Sequence, residues 1–302
     1  TMFADEWISL VRSWYTINKS FVSIRGSMRA PTLNDEYFIY QSILGALTAD
    51  GECSDDLKKR MHSFITKTIR EADQETSYHH PNLWYERNCH AFIDNIFSPE
   101  NNFLKTFLPF AKKIIEHAAV FSLSQLLIKI FSPGIPDFYQ GSELWELHLV
   151  DPDNRGPVDF ECRKKISEKI NELEKKNSKE LLAYLKENWI SGMQKLFVTR
   201  KALVIKKKFP ASFSQGEYIP VTFFQQQDLF SFIRRDKNDA VAIIVPLPKS
   251  RKTSIEEINF IVPPELAGNW QNEFTGESIF LKAQEEAKEI FAHFPVALLT
   301  KK

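Results

Sequence analysis

Apolar positions recur at helical spacing through the first 131 residues. Trp7, Leu10, Val11 and Trp14 fall on one face, with Tyr15 beside them. A polar patch ending at Arg29-Ala30-Pro31-Thr32 leads into a second helix, which Asn34 or Asp35 can cap. Its apolar positions are Tyr37, Phe38, Ile43, Leu44 and Leu47, and Asp50-Gly51-Glu52 breaks it. Ser54 or Asp55 opens a third helix with Leu57, Met61, Phe64, Ile65, Thr68 and Ala72 on its apolar side. Polar residues 75–81 read as a loop and 84–97 as a further helix. Two more helices are predicted, one through Phe103, Phe107, Ala111 and Ile115, the other through Val120, Leu123, Leu127 and Ile130.

Residues 132–160 interrupt this pattern. Pro133-Gly134-Ile135-Pro136 follows the apolar run 121–131, and such punctuation predicts the end of a strand and a long shaped loop. Residues 163–208 then read as two or three charged helices, punctuated at Asn177-Ser178 and Ile190-Ser191-Gly192. Beyond residue 210 the period shortens to two. Strands are predicted at 218–224, 229–234, 240–246, 255–262 and 296–300, with turns at Asp236-Lys237-Asn238-Asp239 and Thr275-Gly276-Glu277. Helices and strands in separate blocks make this an α+β chain rather than one doubly wound sheet. The predicted divisions are 1–131, mostly helical; 132–209, the loop and its following helices; and 210–302, an all-β domain, expected to be an antiparallel sandwich.

Composition narrows the function classes. The 302 residues carry 39 Lys plus Arg and 39 Asp plus Glu, so a nucleic-acid or membrane-surface binder, which needs a basic excess, is not expected. Cys53, Cys89 and Cys162 lack metal-ligand spacing, and their sparse use suits a reducing, cytoplasmic setting. No apolar run is expected to reach the roughly 18 residues a membrane span needs. The start, Thr1 to Trp7, has no basic region and apolar stretch of a signal peptide, and it opens in helical pattern as though cut from something longer.

The candidate chemistry sits in the interrupting stretch. Asp137, Glu143, Asp151, Asp153, Arg155 and Asp159 crowd together there with Tyr139, Gln140, Trp145 and Asn154. Carboxylates, amides and Arg bracket hydroxyls, and aromatics stack on apolar sugar faces, so carbohydrate recognition fits this mixture. The competing account is that Asp151 and Asp153 cap turns and Arg155 bridges them internally. Lys67, Arg70, Glu71 and Glu75 on the third helix are expected to be i,i+4 pairs on a solvated face. His79-His80 reads as a surface loop, since neighbouring side chains diverge and lack a ligand partner at metal spacing. Ser122 and Ser124 near His117 lack the glycines of a nucleophile elbow. No metal or cofactor is expected.

The segment Pro133-Gly134-Ile135-Pro136-Asp137-Phe138-Tyr139-Gln140-Gly141-Ser142-Glu143-Leu144 resembles the eighth barrel strand of the α-amylase superfamily, glycoside hydrolase family 13. Leu149-Val150-Asp151-Pro152-Asp153-Asn154-Arg155 through Asp159-Phe160 is similar to its maltooligosyltrehalose synthase branch, whose members usually carry a second Arg where this chain has Gly156. Asn34-Asp35-Glu36-Tyr37 with Gln41 and Leu44-Gly45 resembles another segment of that branch. So do Lys67, Arg70-Glu71-Ala72, Thr76-Ser77 and Tyr85-Glu86, with Tyr78 in place of the usual Trp. Trp270, Thr275-Gly276 and Pro295-Val296-Ala297-Leu298-Leu299 resemble its C-terminal β domain.

The resemblance implies the C-terminal half of such an enzyme: a helical insertion, the last unit of a (β/α)8 barrel, and the β domain. The substrate would be a maltooligosaccharide, with a missing N-terminal barrel half as partner. Its three catalytic carboxylates would lie in G-x-R-x-D and HD-T-K-R contexts and after the fifth strand; none of these motifs is present, so no catalytic residue is expected in this chain. Tyr139, Gln140, Asp151, Asn154, Arg155 and Asp159 are the implied sugar contacts. The alternatives are another superfamily glycosidase or transglycosidase, or a glucan-binding module without chemistry.

Overall fold

A computed structural model describes residues 2–223, 228–237, 239–248, 258–288 and 290–301. By packing, the chain forms two units. One comprises Phe3–Glu116 and Leu147–Pro157; the other comprises Thr1–Met2, His117–Glu146 and Val158–Lys302. The borders drawn from sequence at 131 and 210 both fall inside the second unit.

The first unit is helical. Helix α1 (Ala4–Ile17) buries Val11 and Trp14, as its apolar spacing requires. A short hairpin, β1 (Ser23–Arg25) and β2 (Met28–Ala30), occupies the patch read as merely polar, turning at Gly26 with φ of 61°. Helix α2 (Leu33–Ala46) starts two residues earlier than expected. Its cap is Thr32, whose hydroxyl accepts from the Asp35 N–H at 3.1 Å. Helix α3 (Asp55–Glu71) is capped by Ser54 and buries Leu57, Met61, Phe64, Ile65 and Ile69, close to the predicted face. Helix α4 (Leu83–Ile96) is capped by Asn82. Trp14 stands at the centre of the core, its ring 5.4 Å from Tyr40 and 5.3 Å from Phe103.

Helix α5 (Asn102–Phe131) corrects two expectations. The sequence predicts two helices here, yet one 30-residue helix forms, with Pro109 inside it. Residues 116–119, Glu-His-Ala-Ala, carry no breaker, so nothing stops propagation. The helix is also long and apolar enough to cross a membrane. Its apolarity serves two cores instead: Phe103, Phe107 and Ala111 pack in the first unit, Leu123, Leu127 and Ile130 in the second.

In the second unit, residues 132–146 form no strand, so the expected eighth barrel strand is absent and no barrel closes. A parallel barrel strand needs hydrogen-bonded neighbours on both sides, and none stands beside this stretch among the described residues. Helices α6 (Phe160–Lys176), α7 (Ser178–Glu187), α8 (Met193–Lys208) and the short α9 (Pro210–Ser214) follow.

The β portion is one six-stranded antiparallel sheet rather than two matched sheets. Its order is β3 (Glu217–Val221), β4 (Leu229–Asp236), β5 (Asp239–Pro246), β10 (Ala297–Lys301), β7 (Gly268–Asn272) and β8 (Ser278–Leu281). A separate pair joins β6 (Phe260–Ile261) to β9 (Glu286–Ala287). Residues 255–257 of the strand expected at 255–262 lie outside the described residues. Strand β5 is apolar on both faces. Val241, Ile243 and Val245 meet the helices with Phe197 and Ala202, while Ala240, Ala242 and Ile244 meet the opposite core with Phe260 and Phe291. The sheet is therefore sandwiched between helices and the small pair, which the two-sheet expectation missed.

Candidate functional site

The polar residues of helix α3 decide how the loop Leu147–Pro157 is held. Arg60 and Lys67 are seven residues apart and share one face of α3. Arg60 Nε donates to Asp153 Oδ1 at 2.9 Å, and its Nη2 donates to Asp153 Oδ2 at 2.9 Å and to the Leu147 carbonyl at 2.7 Å. Lys67 Nζ donates to the Asp151 carbonyl at 2.8 Å and lies 3.4 Å from its Oδ2. The loop also folds on itself: the Leu149 N–H donates to Asp153 Oδ2 at 2.6 Å, and residues Asp153–Arg155 make a single tight helical turn. Burial pushes the Asp153 carboxyl up, but the Arg60 hydrogen bonds, the Leu149 N–H and the nearby positive charges outweigh it and hold it below the usual carboxylate range.

The implied sugar contacts therefore divide. Asp153 is committed to Arg60 and the Leu149 N–H and is a fastener. Asp151 is largely committed as well, its Oδ1 paired with Arg155 Nε and its Oδ2 facing Lys67. Arg155 pairs with Asp151 but not with Asp153, which Arg60 holds instead. Arg155 is different: its side chain is 71% exposed. Asn154, next to it, is half-buried.

Tyr139, Gln140 and Asp159 belong to the second unit. Tyr139 and Gln140 are exposed, and the Tyr139 carbonyl accepts from both the N–H and the hydroxyl of Ser142. Asp159 caps α6, its Oδ1 accepting from the Cys162 N–H at 2.8 Å. Arg163 braces this stretch, donating to Glu143 Oε2 at 3.0 Å and to the Gly141 carbonyl at 2.7 Å. Gly192, at φ of 76°, lets Trp145 lie against it. There the Trp145 indole donates to the Trp189 carbonyl at 2.7 Å.

Other polar motifs build the interior of the helical unit. Glu36 is fully buried; it accepts from the Tyr40 hydroxyl at 2.6 Å and pairs with Arg29. Burial nevertheless raises its carboxyl above the ordinary range against those bonds. Arg70 corrects the solvated-face expectation. It reaches Glu86 on α4 with bonds of 2.7 and 2.6 Å, and Thr76 donates to the same carboxylate. Only Lys67–Glu71, at 3.7 Å, keeps the expected i,i+4 form. Sequence reading passed over Arg60 entirely. It also missed His62, whose Nδ1 lies 2.8 Å from His90 Nδ1 while its Nε2 lies 3.2 Å from Asp94.

No family model matches the chain. A putative maltooligosyl trehalose synthase of Mycobacterium tuberculosis (strain CDC 1551 / Oshkosh) is 29% identical over 273 residues, covering 90% of this chain and 32% of that protein. A crystal structure of maltooligosyl trehalose synthase superposes with a TM-score of 0.77 at 30% identity, covering 99% of this chain and 36% of the other. That of a hypothetical maltooligosyl trehalose synthase from Sulfolobus tokodaii gives 0.74 at 29%, covering 99% and 35%. The chain thus spans about a third of the length of the relatives it matches. The chain is similar, over nearly all its residues, to a segment in the C-terminal half of maltooligosyltrehalose synthases.

Proposed function

We propose that this chain is the C-terminal part of a maltooligosyltrehalose synthase, a (1→4)-α-D-glucan 1-α-D-glucosylmutase. Such an enzyme turns the terminal α-1,4 link of a maltooligosaccharide into an α,α-1,1 link. The similarity over 90% of the chain supports the family. One observation carries the local role: the Asp151–Arg155 turn is pinned by two α3 cations, yet presents an exposed Arg155.

In the retaining chemistry of this superfamily, paired carboxylates cleave the link and form a glycosyl-enzyme. The freed glucose must then stay beside that intermediate and return through its 1-hydroxyl while water is kept out. Arg155 is the group proposed to hold the freed glucose, its Nη donors meeting sugar hydroxyls, with Asn154 beside it. Asp151 orients Arg155 rather than touching sugar. Tyr139, Gln140 and Asp159 are proposed as glucan contacts within their own unit, on the strength of their exposure.

The reacting carboxylates belong to the rest of the enzyme, and the chain by itself is inactive in this reading. A general acid needs an accessible carboxyl with a raised pKa. Among the described residues the carboxyl raised by burial is Glu36, which is sealed against Arg29 and Tyr40. No cofactor enters the reaction. The three free cysteines support a reducing, cytoplasmic setting. The test is Arg155→Ala in the complete synthase, scored as isomerised product against released glucose. The ratio should fall toward hydrolysis; an unchanged ratio would remove Arg155 from the pocket.

A further inference from the structure

We infer that Arg60 is the positioning residue of this loop, and that it sets the split between transfer and loss to water by fixing where Arg155 stands. The inference rests on the pocket role proposed for Arg155.

Three observations carry it. First, the Arg60–Asp153 pair is the most enclosed ionic contact of the loop, with side chains only 17% and 13% exposed. Its two-toothed geometry fixes direction as well as distance, which a single ammonium contact cannot. Second, Arg60 holds the loop at two points, the Leu147 carbonyl near its start and the Asp153 carboxylate at its tight turn. Arg155 lies within that turn, its N–H donating to the Pro152 carbonyl at 3.1 Å. Third, the remaining tie to α3 is weaker. Lys67 meets Asp151 by one carbonyl bond and a looser 3.4 Å approach to a more exposed carboxylate.

Remove Arg60, and the Leu149–Asp153 bond would keep the loop folded on itself while its hold on α3 falls back on the weaker Lys67 contact. A catalytic part for Asp153 itself does not fit, because its carboxylate already accepts from Arg60 and Leu149. Arg60 therefore acts through the loop, on the placement of the Arg155 guanidinium.

The test is a cycle in the complete synthase with maltopentaose as substrate. The variants are Arg60→Gln, Arg60→Lys, Arg155→Ala and the double variant R60Q/R155A. Isomerised product, released glucose, kcat and KM are read well below each variant's melting temperature. R60Q should lower the product ratio roughly tenfold through misplacement, with KM changed by less than about twofold because ground-state binding is kept. R60K, with one donor point instead of two, should fall between R60Q and the parent. In the R155A background, R60Q should add less than about twofold, since the residue it positions is gone. If R60Q fails to fold, Asp153→Asn breaks the same contact from the loop side and should give the same shift.

Two results would overturn the inference while leaving the pocket reading intact. One is a ratio unchanged in R60Q but shifted in R155A. The other is a full R60Q effect that persists without Arg155. A ratio unchanged in R155A would overturn the pocket reading itself, and this inference with it.

Discussion

Arg60 and Asp153, 93 residues apart in sequence, meet through a doubled hydrogen bond that fastens the loop Leu147–Pro157 to helix α3. The contact has a pH signature. Asp153 is held below the ordinary carboxylate range, so it stabilises the fold above the pKa it has unfolded, and that contribution is lost as pH falls through its lower folded value. Asp153→Asn should cost about 1–2 kcal/mol near neutral pH, as loss of a charged hydrogen bond does. It should also flatten the acid limb of the stability profile. Chemical denaturation from neutral pH down to about pH 3 reads both, across the window where carboxylates protonate.

His90 predicts the opposite kind of charge effect. Burial, then the neighbouring His62, lower its pKa from the ordinary 6.5, and Asp94 and Glu86 only partly offset this. A base with a depressed folded pKa favours folding above its unfolded value; that stability declines as pH drops toward the folded one. The protein should lose stability on acidification below about pH 6.5, and His90→Gln should weaken that slope. Melting temperatures between about pH 7 and 5 provide the check; an unchanged slope contradicts the assignment.

Trp14 is fully buried against Trp7, Tyr40, Phe103 and Phe107, and its indole donates to Thr106 at 2.9 Å. Truncation to alanine leaves a large cavity and removes the indole bond to Thr106. Trp14→Ala should destabilise by about 3–5 kcal/mol, measured by urea unfolding. Thr106→Val keeps the volume but removes the bonds to Trp14 and to the Phe103 carbonyl and leaves the buried indole N–H unpaired, so it should cost about 1–3 kcal/mol.

Gly192 governs the stretch ending in Trp145. A Cβ at this position would stand 2.6 Å from the Trp145 backbone nitrogen and 3.1 Å from Leu144 Cα, at a φ of 76° that side chains disfavour. Gly192→Ala should cost about 1–3 kcal/mol in backbone strain and contact. It should also shift the tryptophan emission, because the Trp145–Trp189 bond must move with it. An alanine variant with native stability and spectrum would refute the close approach.

These sites differ in how far the sequence reveals them. The faces of α1 and α3 were legible because periodicity reports burial, and Ser54 was legible because an N-cap acts locally. Thr32 was passed over in favour of Asn34 or Asp35, since several capping residues stand side by side. Strands β7 and β8 were missed because only alternate positions such as Trp270 and Asn272 are buried, among polar residues. The loop's polarity marked it as a site candidate. What it could not show is that Asp153 turns inward to Arg60, for no local pattern joins residues so distant. The barrel strand failed for a related reason: a parallel strand is defined by its neighbours, and the sequence motif alone does not provide them.

The central proposal is that this chain is part of a glucan-isomerising enzyme whose reactive carboxylates lie elsewhere. The most direct measurement incubates maltopentaose with the complete synthase and, separately, with the 302-residue chain, following reducing ends and free glucose. The account predicts that the complete enzyme removes reducing ends while releasing little glucose, and that the chain alone changes neither. Loss of reducing ends with the chain alone, or glucose as the main product of the complete enzyme, would contradict it.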